Sequence, residues 1–198
     1  MTEWQAAFER LIDTLQRRIS ASSNPTVLAI DGRSGAGKST LAAAIASRVP
    51  SAIVPGDDFF AGGVELSGDP PEILAARCID WQRQRAAITA LVQTGRAEYR
   101  AFDWDRFDNS LSPTPVTLSV APLIIVEGVY SARPELSEVV DIALLLDISE
   151  DLRLKRLLER EGEIGDWERQ WHRAEDWYFA HIAPPTRFDV ILNADSQA

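Results

Sequence analysis

The run Gly32-Arg33-Ser34-Gly35-Ala36-Gly37-Lys38-Ser39 constrains the fold of this chain more than any other stretch. It satisfies the P-loop pattern G-x-x-x-x-G-K-[ST] at every fixed position. The apolar segment Thr26-Val27-Leu28-Ala29-Ile30 before it reads as a buried strand. Thr40 to Val49 after it reads as an alanine-rich helix with Leu41, Ile45 and Val49 on one face. A chance glycine-rich turn would lack this strand–loop–helix context. Glycines let backbone N–H groups turn inward around phosphate oxygens, and the helix N-terminus adds partial positive charge. Lys38 can reach the β- and γ-phosphates, and the Ser39 hydroxyl can ligate Mg²⁺. Gly32, Arg33, Ser34, Gly35, Ala36, Gly37, Lys38, Ser39 and Thr40 are therefore the expected nucleotide-binding set, with ATP and Mg²⁺ as the expected ligands.

Strand and helix patterns alternate through the rest of the chain. Residues 3–20 keep helical spacing with Trp4, Phe8, Leu11, Ile12, Leu15 and Ile19, and Ala21 to Pro25 is a linker. Ala52-Ile53-Val54 is a short strand, and Ala61 to Pro71 is a loop rich in glycine and proline. Glu72 to Thr94 reads as one long helix closed by Gly95. Ala97 to Leu118 looks irregular or short-stranded. Leu123–Val126, Ile142–Leu146 and Phe188–Leu192 read as strands, and Glu150–Glu159 and Trp167–Ile182 as helices. The expected architecture is α/β, a parallel sheet with helices on both faces. At 198 residues one domain is expected, 1–198, with an N-terminal helix over 1–20.

Composition removes several classes of function. A net charge of −10 repels nucleic-acid phosphate, so no nucleic-acid partner is expected and an anionic nucleotide needs a local positive site. No apolar run is long enough to cross a bilayer, and no basic flank followed by an apolar core opens the chain. Cys78 is the single cysteine and falls in a helical pattern, which suits a small core residue. A reducing cytoplasm is the expected compartment. The oligomeric state stays open, a homo-oligomer included.

In an open parallel sheet, ligands gather at the carboxyl ends of strands. The second strand delivers Asp57 there, and the strand at 123–126 delivers Glu127. Phosphoryl transfer needs a metal across the β- and γ-phosphates and a carboxylate for the acceptor hydroxyl. Ser39, Asp57 and Glu127 could hold Mg²⁺, and Asp57 is the expected base. The same residues also suit helix caps and strand-end turns. A second cluster, Tyr99, Phe102, Asp103, Trp104, Asp105, Arg106, Phe107 and Asp108, offers rings for stacking and carboxylates for hydroxyls. With Asp58 and Phe59, the members Tyr99, Asp103, Trp104 and Arg106 form the expected acceptor site, although a turn with a local apolar cluster would read alike. A third cluster is basic: Arg153, Lys155, Arg156, Arg160, Arg169, Arg173 and Arg187. Arg160 is expected to act on the transferring group, with Arg156, Arg169 and Arg173 beside it in a lid over about 150–182. Solvated helix faces paired with acids are the other reading. His172 and His181 lack spaced partners and read as packing or surface residues.

These residues resemble the uridine kinase, phosphoribulokinase and bacterial pantothenate kinase group of P-loop kinases over roughly 26–193, and are similar to nicotinamide riboside kinases. Asp57-Asp58-Phe59-Phe60 looks like the group's acidic-aromatic motif, whose first Asp is the base. Ile125-Val126-Glu127-Gly128 looks like its strand ending in a metal-assisting Glu. Phe102 to Asp108 is similar to its acceptor segment, with Trp104 where a His is usual. Arg153 to Gly162 resembles its arginine-bearing lid, and Pro185-Thr186 with Asp189-Val190-Ile191 its closing strand. The resemblance implies a P-loop NTPase fold with a five-stranded parallel core and a helical lid, ATP as donor and a small hydroxyl-bearing acceptor such as uridine. No [NT]-K-x-D motif of a GTPase and no transporter-ATPase signature is present. An ATP-binding regulatory protein without phosphotransfer is the reading from another class.

Overall fold

The computed structural model describes residues 2–195. In chain order the elements are α1 (Glu3–Ala21), β1 (Thr26–Asp31), α2 (Lys38–Ala46), β2 (Ser51–Pro55), α3 (Pro71–Arg77), α4 (Trp81–Thr94) and the β3–β4 hairpin (Arg96–Tyr99, Val116–Ser119). Then come β5 (Leu123–Glu127), β6 (Ile142–Asp147), α5 (Glu150–Glu161), α6 (Asp166–His181) and β7 (Val190–Asn193). Five strands form one parallel sheet in the order β2-β5-β1-β6-β7, as the alternating pattern implies. The near-continuous apolar runs of β1 and β5 follow from burial on both faces. Val27, Ile124 and Val126 point into a core shared with α3, α4 and α6. Leu28, Ile30, Leu123 and Ile125 point the other way, toward α1 and α2.

Strand register sets the level at which each chain segment leaves the sheet. Ile30, Glu127 and Pro55 lie in one row across β1, β5 and β2. The three strands therefore release their chains at one level, and the P-loop, Gly128 and Gly56 emerge side by side.

Two expectations change. Glu72–Thr94 is not one helix but α3 and α4, broken at Cys78–Asp80. Ile79 pairs with Phe60 in a β-bridge, and the Asp80 N–H donates to the Phe59 carbonyl at 2.8 Å. The Asp80 side chain then accepts from the Arg83 N–H at 3.1 Å and caps α4. Tertiary pairing to the segment after β2 thus outcompetes helix continuation. In the basic cluster, Arg153 is not solvated: it is 2% exposed and held by both carboxylate oxygens of Glu150. Gly95 caps α4 in the left-handed conformation, and Cys78 is a buried core residue, both as expected. Among the described residues no helix is long and apolar enough to cross a membrane.

Candidate active site

Asp31, the last residue of β1, is fully buried. Its carboxylate accepts the N–H groups of Gly32 (2.8 Å), Tyr130 (3.0 Å) and Ala132 (3.0 Å) and the Tyr178 hydroxyl (2.9 Å). Burial raises its pKa, and those donors with Lys38 pull it back. Asp31 so ties the start of the P-loop to the segment after β5 and to α6. Gly32 is obligatory, because a Cβ there would lie 2.5 Å from the Leu146 carbonyl oxygen. The loop then turns into α2. Lys38 is buried with its ammonium on the Arg33 carbonyl at 3.1 Å, and Ser39 and Thr40 follow in the first turn.

The helices α5 and α6 grip this loop from above. Arg156 donates to the Ala36 carbonyl at 3.0 Å. Arg33 pairs with Asp176 at 2.9 Å and lies over the Phe179 ring. Glu175, 3% exposed, accepts from the Ser34 N–H at 3.1 Å and from its hydroxyl at 2.5 Å. The Glu175 carboxylate thus occupies one N–H of the P-loop, a donor of the kind that suits anionic oxygen.

Glu127 lies beside Lys38 and Ser39 and feels the charges of Asp57 and Asp58. Asp57 and Asp58 open a short 3-10 turn, Gly56–Phe59, directly after β2. Asp58 accepts the Tyr99 hydroxyl at 2.8 Å. Burial raises the Asp58 pKa, the Tyr99 bond opposes this, and the neighbouring Asp57 charge adds to it. Glu127 closes β5 with only 9% exposure. Burial also raises its pKa; Lys38 and the Ser39 hydroxyl counteract, while the Asp57 and Asp58 charges push it further. A buried carboxylate with two like charges in reach is a donor set short of positive charge. One hydroxyl and one or two carboxylates suit Mg²⁺, which takes its other ligands from phosphate and water. Ser39, Asp57 and Glu127 would hold it. No group of three or more His, Cys, Asp and Glu side chains closes into a cation cage among the described residues.

A cavity of about 860 Å³ opens beside this group. Asp57, Asp58 and Trp104 line one side, and the Trp104 indole N–H donates to the Asp57 carbonyl at 3.3 Å. Other expected acceptor residues lie elsewhere. Phe59 is fully buried, its ring tilted against Tyr99 with centroids 4.7 Å apart, and its neighbour Phe60 faces the cavity instead. Asp103 accepts the Arg106 N–H at 3.0 Å and shapes a turn, while Arg106 pairs with Asp108 at 3.2 Å; neither lines the cavity. Arg160 lines it, paired with Glu161 at 2.6 Å. Arg169 pairs with Asp166 at 2.7 Å and Arg173 is exposed, both away from it.

Sequence reading missed Asp31, Tyr130, Trp167, Trp171 and Glu175. A charge ending the apolar run of β1 was a usable signal for Asp31. Trp167 and Trp171 sit four residues apart on one stripe of α6, which reads equally as core. His172, expected to pack or face solvent, is at the cavity wall, and His181 is exposed with Nδ1 on the Trp177 carbonyl.

A P-loop on the central strand of a five-stranded parallel sheet, with one acid ending the adjoining strand β5 and others following β2 beyond it, is the arrangement of a P-loop kinase. The sequence model of the Phosphoribulokinase / Uridine kinase family matches residues 71–184, more than half of the chain, and the chain belongs to that family. The structure of a possible uridine kinase from Bacillus stearothermophilus is similar, with 21% identity, a TM-score of 0.67, and 91% of this chain and 96% of that one covered. A D-glycerate 3-kinase from Cryptococcus neoformans var. grubii is similar at 11% identity and a TM-score of 0.62, covering 94% of this chain and 95% of that one. No curated protein matches the chain.

Proposed function

We propose that the chain is an ATP- and Mg²⁺-dependent kinase acting on an alcohol hydroxyl of a small molecule, with a nucleoside such as uridine as the leading acceptor. The register that ends β1, β5 and β2 at one level, so that the P-loop, Glu127 and the turn bearing Asp57 lie at the same end of the sheet with Asp57 on the cavity wall, supports this reading. Backbone N–H groups of residues 32–40 and the Lys38 ammonium hold the phosphates. Ser39, Asp57 and Glu127 would hold Mg²⁺, which would supply positive charge to offset that of the phosphates. Asp57 orients the acceptor hydroxyl and takes its proton. The acceptor oxygen then bonds to the γ-phosphorus as the bond to the β–γ bridging oxygen breaks, and ADP leaves. Arg160 and Arg156 stabilise the charge spread over the transferring group. Residues 1–198 act as one domain with about 150–182 as its lid, in the cytoplasm, without a nucleic-acid partner.

The test is ADP release with Mg-ATP across uridine, cytidine, nicotinamide riboside, pantothenate, ribulose 5-phosphate and simple sugars. At least one acceptor raises turnover above the Lys38→Ala blank. Asp57→Asn keeps ATP affinity and loses about 10²–10⁴-fold in kcat. No stimulation by any hydroxyl compound, despite tight ATP binding, supports the regulatory reading. Near-normal kcat in Asp57→Asn removes the base assignment.

A further inference from the structure

We propose that the acceptor carries a flat ring and no negative charge, and that Trp104, Trp167 and Trp171 are the surfaces that select it. This rests on the kinase reading and concerns the same cavity.

The aromatic wall joins three distant stretches of chain. Phe60 has ring centroids at 5.1 Å (Trp104), 5.6 Å (Trp171) and 6.1 Å (Trp167), and Phe107 meets Trp167 at 5.3 Å. Trp104 is still 44% exposed and Phe107 38%. Large rings left open to water at a cavity are surface that a ring-bearing ligand would cover. The wall is built to stay in place: the Trp171 ring lies on Gly62, where a Cβ would come within 2.3 Å of it.

Polar atoms in this wall lack partners. The indole N–H groups of Trp167 and Trp171 and the Tyr130 hydroxyl are buried with no hydrogen-bond partner, and Trp171 and Tyr130 are 7% and 2% exposed. These three atoms are closed to water, so the ring faces rather than these polar groups are what a ligand meets.

The charges around the cavity reject an anion. Asp57, Asp58, Glu161, Glu168 and Glu175 line it. Arg160 is the single Arg or Lys in the lining among the described residues, and it is already paired with Glu161. Burial holds the His172 imidazole below its ordinary pKa, so it supplies no cation near pH 7. An acceptor bearing phosphate or carboxylate would meet five carboxylates and a single arginine, Arg160, which is paired with Glu161 and in the kinase reading serves the transferring group, a discrimination built by repulsion.

Matched pairs test this: uridine against orotidine, and nicotinamide riboside against nicotinic acid riboside, each pair differing by one carboxylate. Binding is read by tryptophan fluorescence without ATP, and turnover by ADP release. The expected result is quenching by the uncarboxylated member of at least one pair, and a kcat/KM at least tenfold above its partner's. Trp171→Leu and Trp104→Leu raise the KM for that ring acceptor about 5- to 100-fold with the KM for ATP unchanged, and Trp171→Phe recovers most of the loss. Trp104 is half open to solvent, so its variant folds even if the Trp171 variant does not. Preference for a carboxylated, phosphorylated or ringless acceptor overturns the inference, as does an unchanged KM in Trp104→Leu, or no binding by any ring compound. Quenching by the uncarboxylated rings with no ADP formed upholds the selection and overturns phosphotransfer instead.

Discussion

Glu127 ends β5 almost closed off from water, with Asp57 and Asp58 near enough to push its proton affinity up and only Lys38 and the Ser39 hydroxyl opposing them. Its folded pKa lies above the unfolded carboxylate value. The native state therefore binds the proton more tightly, and stability falls as pH rises through the folded pKa. At neutral pH the ionised Glu127 is a cost that only a cation offsets. Glu127→Gln removes it. Without Mg²⁺ the variant should melt about 2–4 °C higher at pH 7, and the gap should close as the pH approaches 4. With Mg-ATP its turnover should fall at least tenfold, because a metal-supporting carboxylate is gone. Scanning calorimetry across pH and ADP release read the two effects separately. Asp31 is more deeply buried and its pKa is raised as well, but three backbone N–H donors and a tyrosine hydroxyl share its charge. Glu127 was readable as a strand-end acid beside a nucleotide loop. Asp31 needed the contacts with Tyr130 and Tyr178, both far away in the chain, to give it meaning.

At the scale of elements, the break between α3 and α4 positions part of the cavity, since Cys78 and Ile79 both line it. Asp80 makes the break productive by capping α4. Asp80→Ala should cost about 1 kcal/mol of stability, seen as a lower urea midpoint with an unchanged slope. Helical periodicity over 72–94 carries no sign of this interruption, because apolar spacing is kept on both sides and the competing partner is the Phe59–Phe60 backbone. An aspartate inside a helical pattern was the available hint. The helix α6 shows the same limit. Its apolar stripe was legible, but one face holds the P-loop through Glu175 and Asp176 while Trp167 and Trp171 wall the cavity. Periodicity reports that a face is covered, not by what.

For the whole molecule, nucleotide binding and stability are linked. The P-loop is gripped by both α5 and α6, so a ligand seated on it acts on contacts that run through both cores. Mg-ATP at a hundred times its Kd should add about 2.7 kcal/mol, or roughly 5–10 °C in Tm. Lys38→Ala should lose most of that shift, and a full shift in that variant would show that the nucleotide sits elsewhere. By itself the sequence determined the strand–loop–helix, the parallel sheet covered on both faces, and the acids released at strand ends. These are local: apolar runs, fixed glycine spacing and residues adjoining a strand define them within a few positions. The tertiary structure alone decided which rings and charges share the cavity. Strand order and the docking of α6 bring residues 57–60, 104–107 and 160–175 together. Such contacts arise from packing between segments distant in the chain, which no local period records. That is why Trp104 lines the cavity while Asp103 and Arg106, its close neighbours in sequence, do not.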